Sequence, residues 1–212
     1  MTNTRTKQKE RTLYIILAAA LAARLLLALV TEGYTYDMSC FVAFYSADYF
    51  ADYPPGYILV LGLVSLVRKA LQLSYESRWT YFLLALIPAI CDCAAVVLLD
   101  HISRRYMGQG RAQRCLVLFA AFCPLTLFDT GIWKQIDGAF ALPLLLCFWL
   151  LEERRYLLAA VLYGVALAIK PQALLAGPVL AVCFLVAIAD AVRDGKSPLK
   201  SVGQIFGGAV LA

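Results

Sequence analysis

Long apolar runs separated by short polar stretches set the pattern of this chain. A helix needs roughly 20 apolar residues to cross a bilayer, and it satisfies its backbone polar groups internally. The alternating pattern of a membrane β-barrel is missing from these runs. We therefore predict an all-α fold, a polytopic transmembrane bundle of about six to eight apolar helices. The apolar segments are residues 12–31, 56–71, 79–100, 113–129, 138–151, 156–169 and 173–190, with an eighth that begins near residue 201.

Composition excludes several other classes of protein. The 212 residues are 62% hydrophobic and 16% charged, whereas soluble proteins are roughly half apolar and about a quarter charged. A soluble domain, a disordered chain and a coiled coil are therefore excluded. The net charge of +5 comes from short basic clusters between the apolar runs and not from one basic face. We expect membrane lipid as a partner, and no nucleic acid.

The cysteines and the single histidine do not form a metal-binding pattern. Most of the seven cysteines lie in or beside apolar runs, where a thiol behaves as a small buried hydrophobe. Cys91 and Cys93 lack the spacing and the partner residues of a zinc site, and His101 is remote from any acidic cluster. We expect no metal site and no disulfide framework.

Basic residues predict the orientation of the chain. Residues 1–11 form a basic tail, and the apolar run behind them is too long for a signal peptide, so we expect a retained first helix in a single transmembrane domain, residues 1–212. If segment 56–71 does not cross the membrane, about thirteen Lys and Arg lie inside and about five outside; if it crosses, the count is about nine against nine. The positive-inside rule favours a cytoplasmic N-terminus and an interfacial segment 56–71, and a short tilted span stays open.

The first extracytoplasmic loop region, residues 32–78, begins with an acidic and aromatic stretch. It holds Asp37 and Asp52 among eight aromatic side chains, with no Lys or Arg before residue 56. Two interpretations are open: an aromatic belt at the membrane interface, or a ligand surface on which rings pack against a sugar while carboxylates bond its hydroxyls. The prolines of Asp52-Tyr53-Pro54-Pro55-Gly56 then turn the chain sharply.

Two shorter outer loops carry further polar groups. Trp133, Lys134, Gln135 and Asp137 follow one another in the second loop, either as an interfacial anchor, a snorkelling lysine and a helix N-cap, or as a binding site. Lys170-Pro171-Gln172 forms the third loop, where the cation also suits a helix C-terminus.

Two charges fall inside apolar segments and need partners there. Arg24 lies in the first segment and Asp92 in the third, and each would cost a few kcal/mol in mid-bilayer if unpaired. Either they form an ion pair, or Arg24, Arg78 and Lys170 line a hydrated cavity that holds an anion such as a phosphate.

These segments together resemble a known enzyme family. The order of Asp37, the Asp52-Tyr53-Pro54-Pro55 segment, Trp133-Lys134-Gln135-Ile136-Asp137 and Lys170-Pro171-Gln172 is similar to that of the multi-pass GT-C glycosyltransferases, nearest the bacterial mannosyltransferase-like branch, family 87. The resemblance covers residues 20–180, and Asp92 also fits it. Lys134 departs from it, because the family has a small glycine there.

The resemblance implies a reaction and its participants. A mannose or other hexose would pass, with inversion, from a polyprenyl-phosphate donor to a hydroxyl of a glycan, lipid or protein acceptor on the outer side of a bacterial plasma membrane. Asp37 would be the catalytic base and Asp52 a second catalytic carboxylate, while Lys170, Arg78 and Lys134, in that order, would stabilise the leaving phosphate. No cofactor is implied, and metal dependence stays open. The substrate-binding residues would be Tyr53, Arg78, Trp133, Lys134, Gln135, Asp137, Lys170 and Gln172.

Two further expectations accompany this interpretation. Family members run to several hundred residues and this sequence stops inside an apolar segment, so we expect a fragment or a truncated gene product whose activity as a fragment is open. The competing class is a transporter or binding protein with an acidic and aromatic outer vestibule, but the inverted repeat typical of transporters is not evident.

Overall fold

The computed structural model describes residues 2–45 and 53–193 together with Gly203. Asp52, one of the two predicted catalytic carboxylates, lies outside these residues, as does nearly all of the predicted eighth segment. Helices account for the regular structure of the described residues, which contain no strand, and this confirms the predicted all-α fold.

Helix bounds follow the apolar segments, with two local differences. An 11-residue helix occupies part of the acidic and aromatic stretch that the sequence predicted as a loop, and a π-helix ends the segment predicted over 113–129. The elements are α1 (Thr2–Val30), α2 (Thr35–Tyr45), α3 (Pro55–Ala70), α4 (Arg78–Met107), α5 (Arg111–Ala121), α6 (Pro124–Thr126), the π-helix (Leu127–Trp133), α7 (Asp137–Glu152), α8 (Tyr156–Ile169), a 3-10 helix (Pro171–Ala176) and α9 (Gly177–Arg193).

Within the described ranges, four helical stretches are long and apolar enough to cross a membrane. They are Arg11–Val30, Arg78–Met107, Arg111–Trp133 and Pro171–Asp190. The helix α8 is apolar but shorter, and the 16 residues of α3 are not among the four. The interfacial position of α3 remains a prediction.

The chain divides into two compact units, and the first holds α1, α2, α4, α5 and the π-helix. Unit 1 comprises Met1–Asp52 and Val60–Gly138. Its helix α1 packs along α4, with α5 and the π-helix against the same pair. Small side chains line the crossing, where Ala20, Val96, Val117 and Ala121 form a buried cluster. Small residues let helix backbones approach closely, as membrane helix pairs require.

A buried ion pair joins three elements of unit 1. The Nε atom of Arg24 donates to Oδ2 of Asp92 at 2.9 Å, and Thr130 Oγ1 donates to the same carboxylate oxygen at 2.8 Å. The other Arg24 nitrogens donate to oxygens of Ala20, Ala121 and Thr126. Only 1% of Arg24 is exposed. Of the two sequence interpretations, the ion pair is therefore the correct one for Arg24, whose nitrogens are all engaged inside the protein.

Unit 2 comprises Tyr53–Leu59 and Ala139–Ala212. Within it, Cys147, Leu150, Ala159 and Leu180 form a buried cluster that joins α7, α8 and α9. The 3-10 helix contacts both α8 and α9, so the Lys170-Pro171-Gln172 segment lies where these two helices meet.

Candidate functional site

The two loops of unit 1 that carry the predicted chemistry meet at the C-terminal end of α1. Thr31 follows α1, and its Oγ1 lies 3.2 Å from the carbonyl oxygen of Gly131 in the π-helix. A Cβ atom on Gly131 would come within 3.0 Å of the Leu27 side chain, so glycine permits this close approach. The chain then turns at Gly33, whose φ of +84° suits glycine, and enters α2. Residues about 100 positions apart in sequence thereby become neighbours.

Lys134 is buried inside this junction. Its residue is 1% exposed, and its φ of 60° places it in the left-handed region that favours glycine. The Nζ atom donates to Thr31 Oγ1 at 2.6 Å and to the carbonyl oxygens of Gly131 and Ile132 at 3.2 and 3.1 Å. All three ammonium protons are thus engaged, two of them by carbonyl oxygens at the C-terminal end of the π-helix and one by the hydroxyl that follows α1. One sequence interpretation expected this lysine to snorkel toward the interface, and that interpretation is wrong because the side chain is buried.

Burial also changes the acid–base behaviour of Lys134. Loss of water around the ammonium group lowers the pKa of Lys134 from 10.5 to about 8. No carboxylate forms an ion pair with it within the described part of the chain. The residue therefore carries a proton that is held only by neutral oxygens.

Asp37 and Gln135 form the polar contact between the two loops. The backbone N–H of Gln135 donates to the Asp129 carbonyl at 3.1 Å, which fixes the chain just after Lys134. The Gln135 side chain then donates from Nε2 to Oδ2 of Asp37, in the first turn of α2. The other carboxylate oxygen, Oδ1, has no hydrogen bond to any described residue. Asp37 is half-buried, so this oxygen is both oriented and available.

Aromatic rings lie on the two segments that carry Asp37 and Gln135. The ring centroid of Trp133 is 6.0 Å from that of Tyr34 and 5.0 Å from that of Phe128. All three side chains are exposed, with Trp133 at 44%. Exposed rings and an oriented carboxylate on the same pair of loops suit sugar binding, since ring faces pack on sugar C–H groups.

Asp137 and Gly138 carry the same loop into α7. Asp137 is the first residue of α7 and Gly138 the second. Gly138 packs so closely on α4 that a Cβ atom would collide with the Asp92 carboxylate and with the carbonyl oxygen of Pro88. The start of α7 is therefore fixed directly against the buried ion pair.

A second group of predicted residues lies in unit 2. The rings of Tyr53 and Tyr57 contact each other edge to face, with centroids 4.9 Å apart. A Cβ atom on Gly56 would come within 2.7 Å of the Ala168 carbonyl oxygen, so the Pro54-Pro55-Gly56 turn packs on the end of α8. Two residues later, Lys170 places its Nζ 5.9 Å from the centroid of the Phe140 ring. Gln172 is exposed in the 3-10 helix.

The predicted role of Arg78 stays a prediction, and two threonines make contacts that the sequence did not predict. Arg78 is exposed at the start of α4 and forms no hydrogen bond or ion pair with the residues described here. Thr31 and Thr130 are partners of Lys134 and Asp92 that the sequence analysis did not identify. A single threonine beside an apolar run is too common a signal to single out either of them.

Comparison with known proteins decides the family. The model of glycosyltransferase family 87 matches residues 50–195, which is more than half of the chain. The chain belongs to glycosyltransferase family 87. No curated protein and no solved structure matches it. The matched range includes the Pro54-Pro55-Gly56 turn, the Trp133 loop and the Lys170 segment.

Family membership has direct consequences for the predicted class. This glycosyltransferase is an enzyme of GT-C type with a sugar donor and an acceptor as substrates, and with apolar helices suited to an integral membrane protein. The competing transporter interpretation is thereby set aside. Asp37 precedes the matched range, but it is hydrogen-bonded to Gln135, which lies within that range.

Proposed function

We propose that the glycosyltransferase moves a mannose or other hexose from a polyprenyl-phosphate donor to an acceptor hydroxyl on the extracytoplasmic side of a bacterial plasma membrane, with inversion. The acceptor oxygen forms a bond to the anomeric carbon while the bond from that carbon to the phosphate oxygen breaks. The phosphate departs with the electron pair, and a base takes the proton of the attacking hydroxyl.

Asp37 is the proposed base. The observation that carries this assignment is the Gln135 hydrogen bond, which fixes Oδ2 and leaves Oδ1 without a partner among the described residues. Carboxylate oxygens oriented in this way accept a proton efficiently because no rearrangement precedes the transfer. Asp52 keeps its proposed role as a second catalytic carboxylate from the sequence resemblance alone.

Gln135 and Lys134 are proposed to act through Asp37. Gln135 orients the carboxylate, and Lys134 fixes the backbone that presents Gln135. We therefore assign Lys134 a positioning role in place of direct phosphate binding, because its three donors are already engaged.

The remaining predicted residues are proposed to bind substrate. Trp133, with Tyr34 and Phe128 beside it, offers ring faces to a sugar. Lys170 is the first proposed cation for the phosphate and Arg78 the second. Tyr53, Asp137 and Gln172 keep their proposed roles from the resemblance of their segments to the family.

Sugar transfer from radiolabelled donors tests the proposal. Membranes that contain the protein would be supplied with polyprenyl-phosphate mannose or glucose, and Asp37→Asn compared with the native enzyme. We expect transfer to fall by at least about a hundredfold, the usual effect of losing a general base. The matched control is Glu32→Gln, which removes the same charge five residues earlier from an exposed side chain.

Three outcomes would reject parts of the proposal. Undiminished transfer by Asp37→Asn, with loss in Asp52→Asn, would make Asp52 the base. Retained anomeric configuration in the product, read by NMR, would exclude the inverting mechanism. A donor that is a sugar nucleotide and not a polyprenyl phosphate would overturn the substrate class.

A further inference from the structure

A cavity of about 150 Å³ lies at the end of unit 1 opposite the candidate site. It is bounded by the first turns of the α1 span, the last turns of α4 and the first turns of α5. Thr12 of α1 lines it, and Thr31 at the other end of the same helix is roughly 28 Å away at 1.5 Å per residue. Because three candidate spans end here, the cavity lies at the level of one membrane interface.

One wall of the cavity is apolar. Leu13, Ile16, Val117 and Leu118 contribute to it, and they extend from the cavity toward the middle of their spans. This wall is suited to an acyl chain, since an apolar chain loses contact with water only where the protein offers apolar surface.

The other wall carries two arginines with unused donors. Asp100 accepts from Arg104 Nη2 at 2.8 Å and from Gln113 Nε2 at 2.7 Å, so its charge is balanced inside the protein. No described residue accepts a hydrogen bond from the other nitrogens of Arg104. Arg114 makes a single long contact of 3.4 Å, from Nε to the Gly110 carbonyl. The cavity thus has a net positive charge and terminal guanidinium donors.

We propose that this cavity binds the headgroup of an anionic phospholipid, with part of an acyl chain along its apolar wall. Guanidinium groups bind phosphate oxygens in charge-assisted pairs, and basic pockets between membrane helices at an interface are suited to anionic lipid headgroups. A lipid accounts for both walls together, whereas a soluble anion would use only the arginines. The proposal is independent of the proposed sugar transfer.

Native mass spectrometry of the whole chain in neutral detergent tests the proposal. Dioleoyl phosphatidylglycerol is the probe, and dioleoyl phosphatidylcholine is the zwitterionic comparison. We expect phosphatidylglycerol to bind more tightly, and Arg114→Gln to weaken it about tenfold through loss of one charge-assisted contact. The control Arg111→Gln removes the same charge from the same helix but does not line the cavity, so its affinity should stay within about twofold of native.

A second variant keeps the charge and fills the space. Leu118 is 43% exposed and lines the cavity, so Leu118→Trp should fold while it obstructs the acyl chain and weakens phosphatidylglycerol binding. Native affinity in both Arg114→Gln and Leu118→Trp would reject the site. An equal loss in Arg111→Gln would indicate general surface charge, and displacement of the lipid by millimolar inorganic phosphate would assign the cavity to a soluble anion; either result overturns the proposal.

Discussion

Lys134 shows how one residue can combine a strained backbone with a structural use for its charge. A left-handed conformation costs a non-glycine residue about 1 kcal/mol or more. Here the side chain offsets that cost by donating to Thr31 Oγ1 and to two carbonyl oxygens that the end of the π-helix leaves open. The glycine that the resemblance leads one to expect would satisfy the backbone conformation but not these oxygens.

The lowered pKa of Lys134 should make the stability of the protein depend on pH. Because burial lowers the pKa of Lys134 from 10.5 to about 8, the unfolded chain binds more protons than the folded one between these values. Stability therefore rises with pH across that window. We expect native protein to gain about 2 kcal/mol relative to Lys134→Met between pH 7 and about pH 9.5.

Thermal unfolding in detergent, recorded at several pH values, measures this effect. The difference in Tm between the native protein and Lys134→Met should change steadily in favour of the native protein as the pH rises. A pH-independent difference would show that the lysine titrates with an ordinary pKa and that its burial is not maintained in solution.

The sequence predicted this residue's location but not its environment. The spacing of Trp133, Lys134, Gln135 and Asp137 indicated a site, and Asp37 was expected on the same side of the membrane. The contacts of Lys134 depend on Thr31, more than 100 residues earlier, and on a π-helix that no local pattern specifies. Such long-range contacts are decided by packing, which residue types and spacing alone do not give.

Among the elements, α1, α4 and the π-helix are joined by a pair of charges. Arg24 and Asp92 are each at least about nine-tenths buried, and Thr130 supplies a further hydrogen bond to Asp92. Removing one member of such a pair leaves the other charged and unpaired, at a cost of about 3–5 kcal/mol, whereas removing both is far less harmful.

A double-mutant comparison tests the pair. We expect Arg24→Met and Asp92→Asn each to lower the thermal stability of the detergent-solubilised protein strongly, and the double variant to lie above the poorer of the two single variants. Fluorescence-detected size exclusion after heating gives the three midpoints. Strictly additive losses would mean that the two side chains do not depend on each other.

Among the helices, the sequence predicted position best where the apolar run was long. The stretch Arg11–Val30 of α1 agrees closely with segment 12–31, whereas α4 begins within one residue of segment 79–100 but continues to Met107. The ion pair was one of two interpretations for Arg24 and Asp92. The helix α2 was not predicted, because aromatic and acidic residues in an 11-residue stretch give no clear helical period.

The whole molecule raises the question of which side of the membrane each end of unit 1 faces. Charge counting predicts Asp37 and the Trp133 loop outside, and the link between α4 and α5 inside. The structure places these two groups at opposite ends of α1, through Thr31 at one end and Thr12 at the other. The direction itself remains a prediction.

Cysteine labelling in intact cells can determine the direction. In a cysteine-free background, a membrane-impermeant maleimide should label Glu32→Cys and Glu76→Cys at once, and Gln109→Cys only after lysis. If α3 crosses the membrane, Glu76→Cys will react only after lysis and Gln109→Cys at once. Protection of Glu32→Cys in intact cells would place the N-terminus outside and reject the predicted orientation.

The buried amine of Lys134 also allows the opening rate of the junction to be measured. An amine with a pKa near 8 is largely in its nucleophilic form at mildly alkaline pH, yet no acylating reagent reaches it while α1, the turn at Gly33 and the π-helix stay together. Acylation at this position, followed by peptide mass spectrometry, therefore proceeds only as fast as the junction opens. The acylation rate of this one lysine thus reports how often the candidate-site end of unit 1 opens.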